Sequence, residues 1–297
     1  MTNEGRIENF RPEKPSAIRV PSKKRLRKEI FGTFYRRHDA ERGMKHFRAI
    51  FALLLFVAFW TTSSASAQVA SDAPSPELPA NAADLNGLLY MKDWNGLGAA
   101  LKDADQTPVT RVKAMNWLQR RVLRGAEYFV VYAYMRELWT VGTVSQSEGM
   151  RQTAGAMALY AYALIAIDGA KCQDLTAPGN RMTQLLGLNP STFSFVKSQP
   201  AETKAKMIDL AITIENRTSS ARRDDDLLCR GGLEEYKAAF EGGTQTEVPN
   251  STGHFGKTFQ VEPPADWKPK FAPPEVYRPK QEIARNAMRE ALLKLIQ

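Results

Sequence analysis

"AGAMALYAYALIAI", residues 154–167, decides the fold of this chain, because every position in it is apolar, aromatic or glycine. Its fourteen residues are too few to cross a bilayer, for which a helix needs about 20 apolar residues, so the run is typical of a buried core helix. Its alanines and Gly155 let a neighbouring helix approach closely. We expect this helix at the centre of an all-α domain, packed antiparallel against the helix before it.

Capping patterns place the starts of two long helices. The sequence "SQSE", residues 145–148, matches a capping box at the start of the central helix. Thr107 followed by Pro108 marks the start of an earlier helix, because threonine caps and proline suits the first helical position. From there an apolar stripe recurs at steps of three and four over residues 112–133, which predicts one continuous amphipathic helix.

Shorter helical segments surround these two. They are expected over residues 84–101 with a break at Trp94-Asn95-Gly96, from Pro190, from Pro200, and over Arg222–Ala239 with an interruption near Gly231-Gly232. Residues 84–241 are therefore predicted to form an irregular bundle of about five helices. No internal repeat stands out, which argues against a solenoid.

The composition changes in the C-terminal part of the chain. Residues 242–279 are rich in Pro, Gly and Thr, which favours an extended strap that either lies over the helical body or stays free as a linker. Residues 280–297 are predicted to form an amphipathic helix with Ile283, Ala287, Ala291 and Leu295 in line. Such a helix packs onto its own domain, which we expect here, or lies in the groove of a protein partner, which the strap could also bind.

An export signal is predicted over residues 44–67. A basic end precedes the twelve apolar residues 49–60, and the segment closes on Ala65-Ser66-Ala67, the pattern that signal peptidase prefers before a new terminus at Gln68. The apolar core is too short for a permanent span, so a cleaved signal is the preferred interpretation and a retained signal anchor the alternative. Residues 68–83 have the composition of a flexible leader.

The forty-three residues before Met44 leave two interpretations open. They are a basic, disordered extension created by a mis-assigned start, which we favour, or a genuine cytoplasmic head. A head retained with residues 44–67 would make this a single-pass protein anchored in the inner membrane and facing the periplasm. Membrane contact is expected only in that case.

The net charge of +9 does not indicate a nucleic-acid partner. Residues 1–67 hold 14 Lys and Arg against 6 Asp and Glu, so +8 of the +9 lies there and +1 remains for the exported part. A nearly neutral domain lacks the basic surface that phosphate binding requires.

The two cysteines, Cys172 and Cys229, both fall in the exported part and predict one disulfide, because exported proteins fold in an oxidising compartment. After the predicted cleavage only His254 remains as a histidine, in an irregular segment, so a zinc site is not expected and no catalytic histidine is assigned. We assign no metal and no cofactor.

A disulfide would bring charged residues together around it. The candidate cluster comprises Asp168, Asp174, Arg181, Glu215, Arg222 and Asp226. We interpret it as an aspartate–arginine network that satisfies buried charge, and assign it no catalytic residue. The alternative is a carboxylate-dependent hydrolase, which would need two carboxylates facing one open cleft.

The sequence thus favours a non-catalytic, exported helical protein of the bacterial cell envelope, periplasmic or secreted, with a binding or structural role. Its specific ligand or partner does not follow from the residues.

Overall fold

Helices dominate the architecture. The computed structural model describes residues 76–103, 107–249 and 257–297, and within them it contains ten α-helices and one two-stranded sheet. The helices are α1 Ala82–Tyr90, α2 Trp94–Asp103, α3 Pro108–Val122, α4 Tyr128–Val144, α5 Glu148–Asp168, α6 Thr176–Leu188, α7 Pro190–Ser198, α8 Ala201–Thr218, α9 Leu233–Gly242 and α10 Pro274–Leu295. The strands are β1 Thr244–Val248 and β2 Thr258–Glu262.

Helix α5 lies at the centre, as its sequence predicts. It packs against α4, α6, α7, α8 and α10, and it buries side chains on all sides, Tyr160 and Leu164 among them. Within the described residues, the stretch Glu148–Lys171 is the one helix long and apolar enough to cross a membrane, and 78% of its apolar window is buried inside the protein. The all-α class is confirmed, with more and shorter helices than the five expected.

Small residues on α5 let its neighbours come close. A Cβ atom at Gly155 would lie 2.7 Å from Cγ2 of Val196 on α7 and 2.9 Å from Sδ of Met207 on α8. The α4–α5 pair is joined by a turn of three residues and packs along its length, so the two helices run antiparallel as expected.

The single helix predicted through residues 112–133 is wrong, because the chain breaks into α3 and α4. Gly125 takes a left-handed conformation with φ +80°, and the amide of Ala126 donates to the carbonyl of Arg121, which closes the end of α3. The start at Thr107 is confirmed by its reciprocal hydrogen bonds with Thr110. Periodicity continued across the break because both helices face the same core.

Two predicted boundaries are displaced. Ser147, not Ser145, caps α5 by accepting from the amide of Met150 at 3.4 Å, because the turn between α4 and α5 uses Ser145 to end α4. The break expected at Trp94 lies earlier, at Lys92, whose φ of +56° separates α1 from α2.

The leader predicted over residues 68–83 is described from Pro76 onward, and there it is bound to α3. The carbonyl of Glu77 accepts from Asn116 at 3.1 Å, its carboxylate pairs with Lys113 at 2.9 Å, and the carbonyl of Pro76 accepts from Arg120. The last leader residues are therefore held by polar contacts that composition does not reveal.

The disulfide is confirmed, and the strap lies over it. The Cα atoms of Cys172 and Cys229 are 5.2 Å apart. The backbone of Cys172 forms an isolated antiparallel β-bridge with Phe271 of the strap, and the amide of Ala272 donates to the carbonyl of Lys171 at 2.7 Å. The strap also contains a hairpin, β1–β2, that the composition did not predict.

Helix α10 differs from its prediction in start and in buried face. It begins at Pro274, where proline suits the first helical position, and includes Pro279. The side chains it buries are Gln281, Met288 and Leu292, and Ile296 directly after the helix is buried as well, whereas Ile283 is 69% exposed and Ala287 is exposed. The predicted line was wrong because polar contacts with buried charge, described below, set the rotation of the helix.

Replacing Gly155 by Ala should lower the free energy of unfolding by about 1–3 kcal/mol, because the new methyl group overpacks the contacts with α7 and α8. Gly149→Ala on the same helix is the matched control, since no atom lies within 4 Å of its Cβ position. That change should stabilise by about 0.5–1 kcal/mol through helix propensity. Urea unfolding measures both; equal effects at the two positions would contradict the close packing.

Candidate functional site

Arg222 is the centre of a buried ion network that joins the ends of two helices. Its Nε donates to Oδ2 of Asp168, at the end of α5, at 2.6 Å. One terminal nitrogen donates to Oε1 of Glu215, on the last turns of α8, also at 2.6 Å. Its other terminal nitrogen donates to the carbonyl of Glu215 and to the hydroxyl of Thr218. All five N–H groups of a guanidinium lie in one plane, which suits such a junction.

Helix α10 completes the network from the other side. Gln281 donates to Oδ1 of Asp168 at 2.9 Å, and Nε of Arg285 donates to Oε1 of Glu215 at 3.1 Å. Two carboxylates and two guanidinium groups therefore balance each other. Neither Gln281 nor Arg285 was found from the sequence, since the only signal was two polar residues one turn apart on a helix whose buried face was predicted along Ile283 and Ala287.

Burial determines how strong these pairs are. The side chains of Arg222, Asp168 and Glu215 are 2%, 5% and 3% exposed. Burial by itself lowers the pKa of Arg222, but the adjacent Asp168 carboxylate and the hydrogen bonds to it outweigh that effect and raise the pKa. Arg222 therefore stays charged, and the two carboxylates have a permanent cation beside them.

A tyrosine–threonine pair extends the network into the core. The hydroxyl groups of Tyr160 and Thr218 lie 2.9 Å apart, and Thr218 also donates to the carbonyl of Ile214. Burial raises the pKa of the Tyr160 phenol, although Arg222 nearby opposes the change. The phenol therefore serves as a neutral hydrogen-bonding group next to the ion network.

The structure thus brings together Asp168, Glu215 and Arg222 from the predicted cluster and places the other three elsewhere. Asp174 accepts from the amide and hydroxyl of Thr176 and from the amide of Glu234, so it ties the start of α6 to the start of α9. Burial works against its charge, but these hydrogen bonds outweigh it and lower the pKa of Asp174.

Arg181 is buried on α6 in a different environment. It donates to the carbonyl of Leu227 at 2.6 Å and to Gln184 at 2.8 Å, and its guanidinium lies 5.8 Å from the ring centre of Tyr128. Burial lowers its pKa. Its partners are carbonyls and an amide, so it holds the loop before α9 in place.

The three consecutive aspartates point to three different partners. The Asp224 carboxylate lies 3.9 Å from Nζ of Lys171, Asp225 accepts from backbone amides, and Asp226 pairs with Lys92 at 2.9 Å. This divergence is possible because residues 222–232 are not helical, which corrects the helix predicted over Arg222–Ala239. The helix starts only at Leu233 because the polar groups of the preceding loop bond to α4, α6 and the disulfide region.

Some predicted residues lie outside the part of the chain that the structure describes. These are His254 and the cleavage residues Ala65, Ala67 and Gln68. Within the described residues, no group of three or more His, Cys, Asp and Glu side chains has an arrangement that could hold a metal ion.

The geometry suits structure better than acid–base chemistry. A general acid or base must reach a substrate proton, and a catalytic carboxylate pair needs room between its members for the sugar or water. Asp168 and Glu215 instead accept hydrogen bonds from Arg222, Gln281 and Arg285.

Searches of protein-family models, characterised proteins and solved structures found no match to this chain.

Arg222→Met should lower the free energy of unfolding by about 3–5 kcal/mol, because Asp168 and Glu215 would lose their shared cation while buried. Arg289→Met is the matched control: Arg289 pairs with Asp209 at the surface, where both side chains are more than half exposed. Arg289→Met should lower the free energy of unfolding by only about 0–1 kcal/mol. Chemical denaturation followed by circular dichroism distinguishes them, and similar losses for both variants would contradict the network.

Proposed function

We propose that this chain is an exported, non-catalytic helical protein of the bacterial cell envelope, with a binding or structural role. The non-catalytic part rests on one observation: the clustered carboxylates are already engaged in hydrogen bonds and ion pairs within the protein. Asp168 and Glu215 bond to Arg222 and to two residues of α10, Gln281 and Arg285, and both carboxylates are buried. Groups engaged in this way hold a fold together.

The disulfide supports the export part of the proposal. Cys172 and Cys229 are both buried and bonded, and a disulfide of this kind indicates folding in an oxidising compartment. The predicted signal over residues 44–67 would deliver the chain to such a compartment, and the nearly neutral charge of the remainder suits a role without nucleic acid. The periplasm is the specific compartment that we propose.

The intact mass of the native protein, isolated without reductant, tests the proposal. We expect a chain that begins at Gln68 and that gains the mass of a pair of hydrogen atoms on reduction. Fractionation of the cells should place it with periplasmic markers. A mass that includes residues 1–67, found in the membrane fraction, would support the anchored alternative, and free thiols in the isolated protein would contradict export.

A binding role predicts a surface that can change without loss of the fold. The outer face of α10 carries Ile283, exposed at 69%, together with exposed Val276, whereas Leu292 on the inner face is fully buried. Ile283→Glu should leave the unfolding midpoint unchanged and abolish co-purification of a partner from envelope extracts. Leu292→Ala should cost about 2–5 kcal/mol in stability. If Ile283→Glu retains every co-purifying protein, the binding role through α10 fails.

A further inference from the structure

A second buried polar contact joins the segment before Cys229 to the start of α4. The carboxylate of Asp225 accepts from the amide of Tyr128 at 2.7 Å through Oδ2 and from the amide of Leu228 at 3.1 Å through Oδ1. Tyr128 is the first residue of α4, and the residue at its N-cap, Glu127, makes no capping hydrogen bond with its own side chain. Asp225 therefore caps α4 from a distant part of the chain.

This arrangement buries two acidic residues, Glu127 and Asp225, at the start of one helix. Glu127 directly precedes the residue whose amide binds Asp225, and the two residues are 5% and 4% exposed. Glu127 forms an ion pair with Arg223 at 3.3 Å. The Arg223 side chain is 59% exposed, so water screens the charge of its guanidinium. No cation lies within 4 Å of the Asp225 carboxylate among the described residues. The pair thus carries more negative charge than its close partners balance.

The other charged groups around the pair offset this excess only in part. Arg181 from α6 lowers the pKa of Asp225 from beyond ion-pair distance, and its two terminal nitrogens donate to carbonyls and to Gln184 instead. Three other groups face this region. Glu235 of α9 interacts electrostatically with Arg181, and the Tyr128 phenol is buried nearby. The ammonium of Lys171 donates to the carbonyls of Arg222 and Arg223.

We propose that Glu127 and Asp225 form an acid-strengthened latch, in which uptake of one proton by the buried pair tightens the hold of residues 222–229 on the start of α4. The amide hydrogen bonds of Asp225 keep the segment in place at neutral pH, and the proton removes a negative charge that burial disfavours, together with its repulsion from Glu127. Because the segment also contains Arg222 and Cys229, the latch acts on the region where the ion network, the disulfide and the strap meet.

The direction of the pH dependence follows from the environment of Asp225. Burial raises its pKa to about 6, from an ordinary value of 3.8, with Glu127 adding to the rise and the two amides opposing it. The folded state therefore binds the proton more tightly than the unfolded state, so stability is gained as the pH falls through 6 and is lost as it rises. Between pH 7 and pH 5 the unfolding equilibrium constant should fall about tenfold from this group.

The experiment compares urea unfolding at pH 7 and pH 5 for the full chain and three variants. Asp225→Asn removes the titrating group and Glu127→Gln removes the neighbouring charge. Asp224→Asn is the matched control, because this adjacent aspartate is more than half exposed. The wild-type and Asp224→Asn proteins should show the same change in the unfolding equilibrium constant between pH 7 and pH 5. In Asp225→Asn that change should be smaller by a factor of about ten. Glu127→Gln should shift the dependence to lower pH and so flatten it over this interval.

Hydrogen exchange of the Tyr128 and Leu228 amides provides the second readout. After correction for the intrinsic exchange rate, their protection should increase from pH 7 to pH 5 in the wild type and increase less in Glu127→Gln. If Asp225→Asn fails to fold, Glu127→Gln decides the matter alone. A pH dependence identical in wild type and Glu127→Gln, or one that Asp225→Asn retains in full, would overturn the latch.

Discussion

The pairing of Arg222 with Asp168 and Glu215 is the contact on which the rest of the arrangement depends. Water is excluded from all three side chains, so each charge relies on the others. Asp168 closes the central helix α5, Glu215 lies near the end of α8, and Arg222 begins the irregular segment that follows α8. One guanidinium therefore fixes how two helices end and where the chain goes next.

The disulfide and the ion network restrain the same short stretch of chain. Cys172 follows the end of α5 by a single 3₁₀ turn, and Cys229 lies seven positions after Arg222. The covalent bond limits the freedom of a 57-residue loop in the unfolded chain. Once residues 222–229 are held, Phe271 can pair with Cys172, and the strap then leads the chain into α10. Local chemistry at one end of α5 thus organises the C-terminal quarter of the protein.

Helix α10 uses one face both for apolar packing and for contacts with buried charge. The predicted line through Ile283 and Ala287 stays toward the solvent, while Gln281 is buried with Met288 and Leu292. Turning the helix this way leaves an isoleucine exposed, which sacrifices part of its hydrophobic burial. The gain is that Asp168 and Glu215 receive hydrogen bonds, and an unsatisfied buried carboxylate would cost more than one exposed apolar side chain.

The sequence by itself determined the helical class, the central place of residues 154–167, the start of α3 at Thr107 and the Cys172–Cys229 pair, because local periodicity, capping and cysteine count carry that information. Only the tertiary structure decided that Asp168, Glu215 and Arg222 meet while Asp174, Arg181 and Asp226 find other partners. It also recruited Gln281 and Arg285. Side-chain contacts between distant segments depend on helix rotation and loop path, and both are set by the balance of buried charge and packing, which no local pattern encodes.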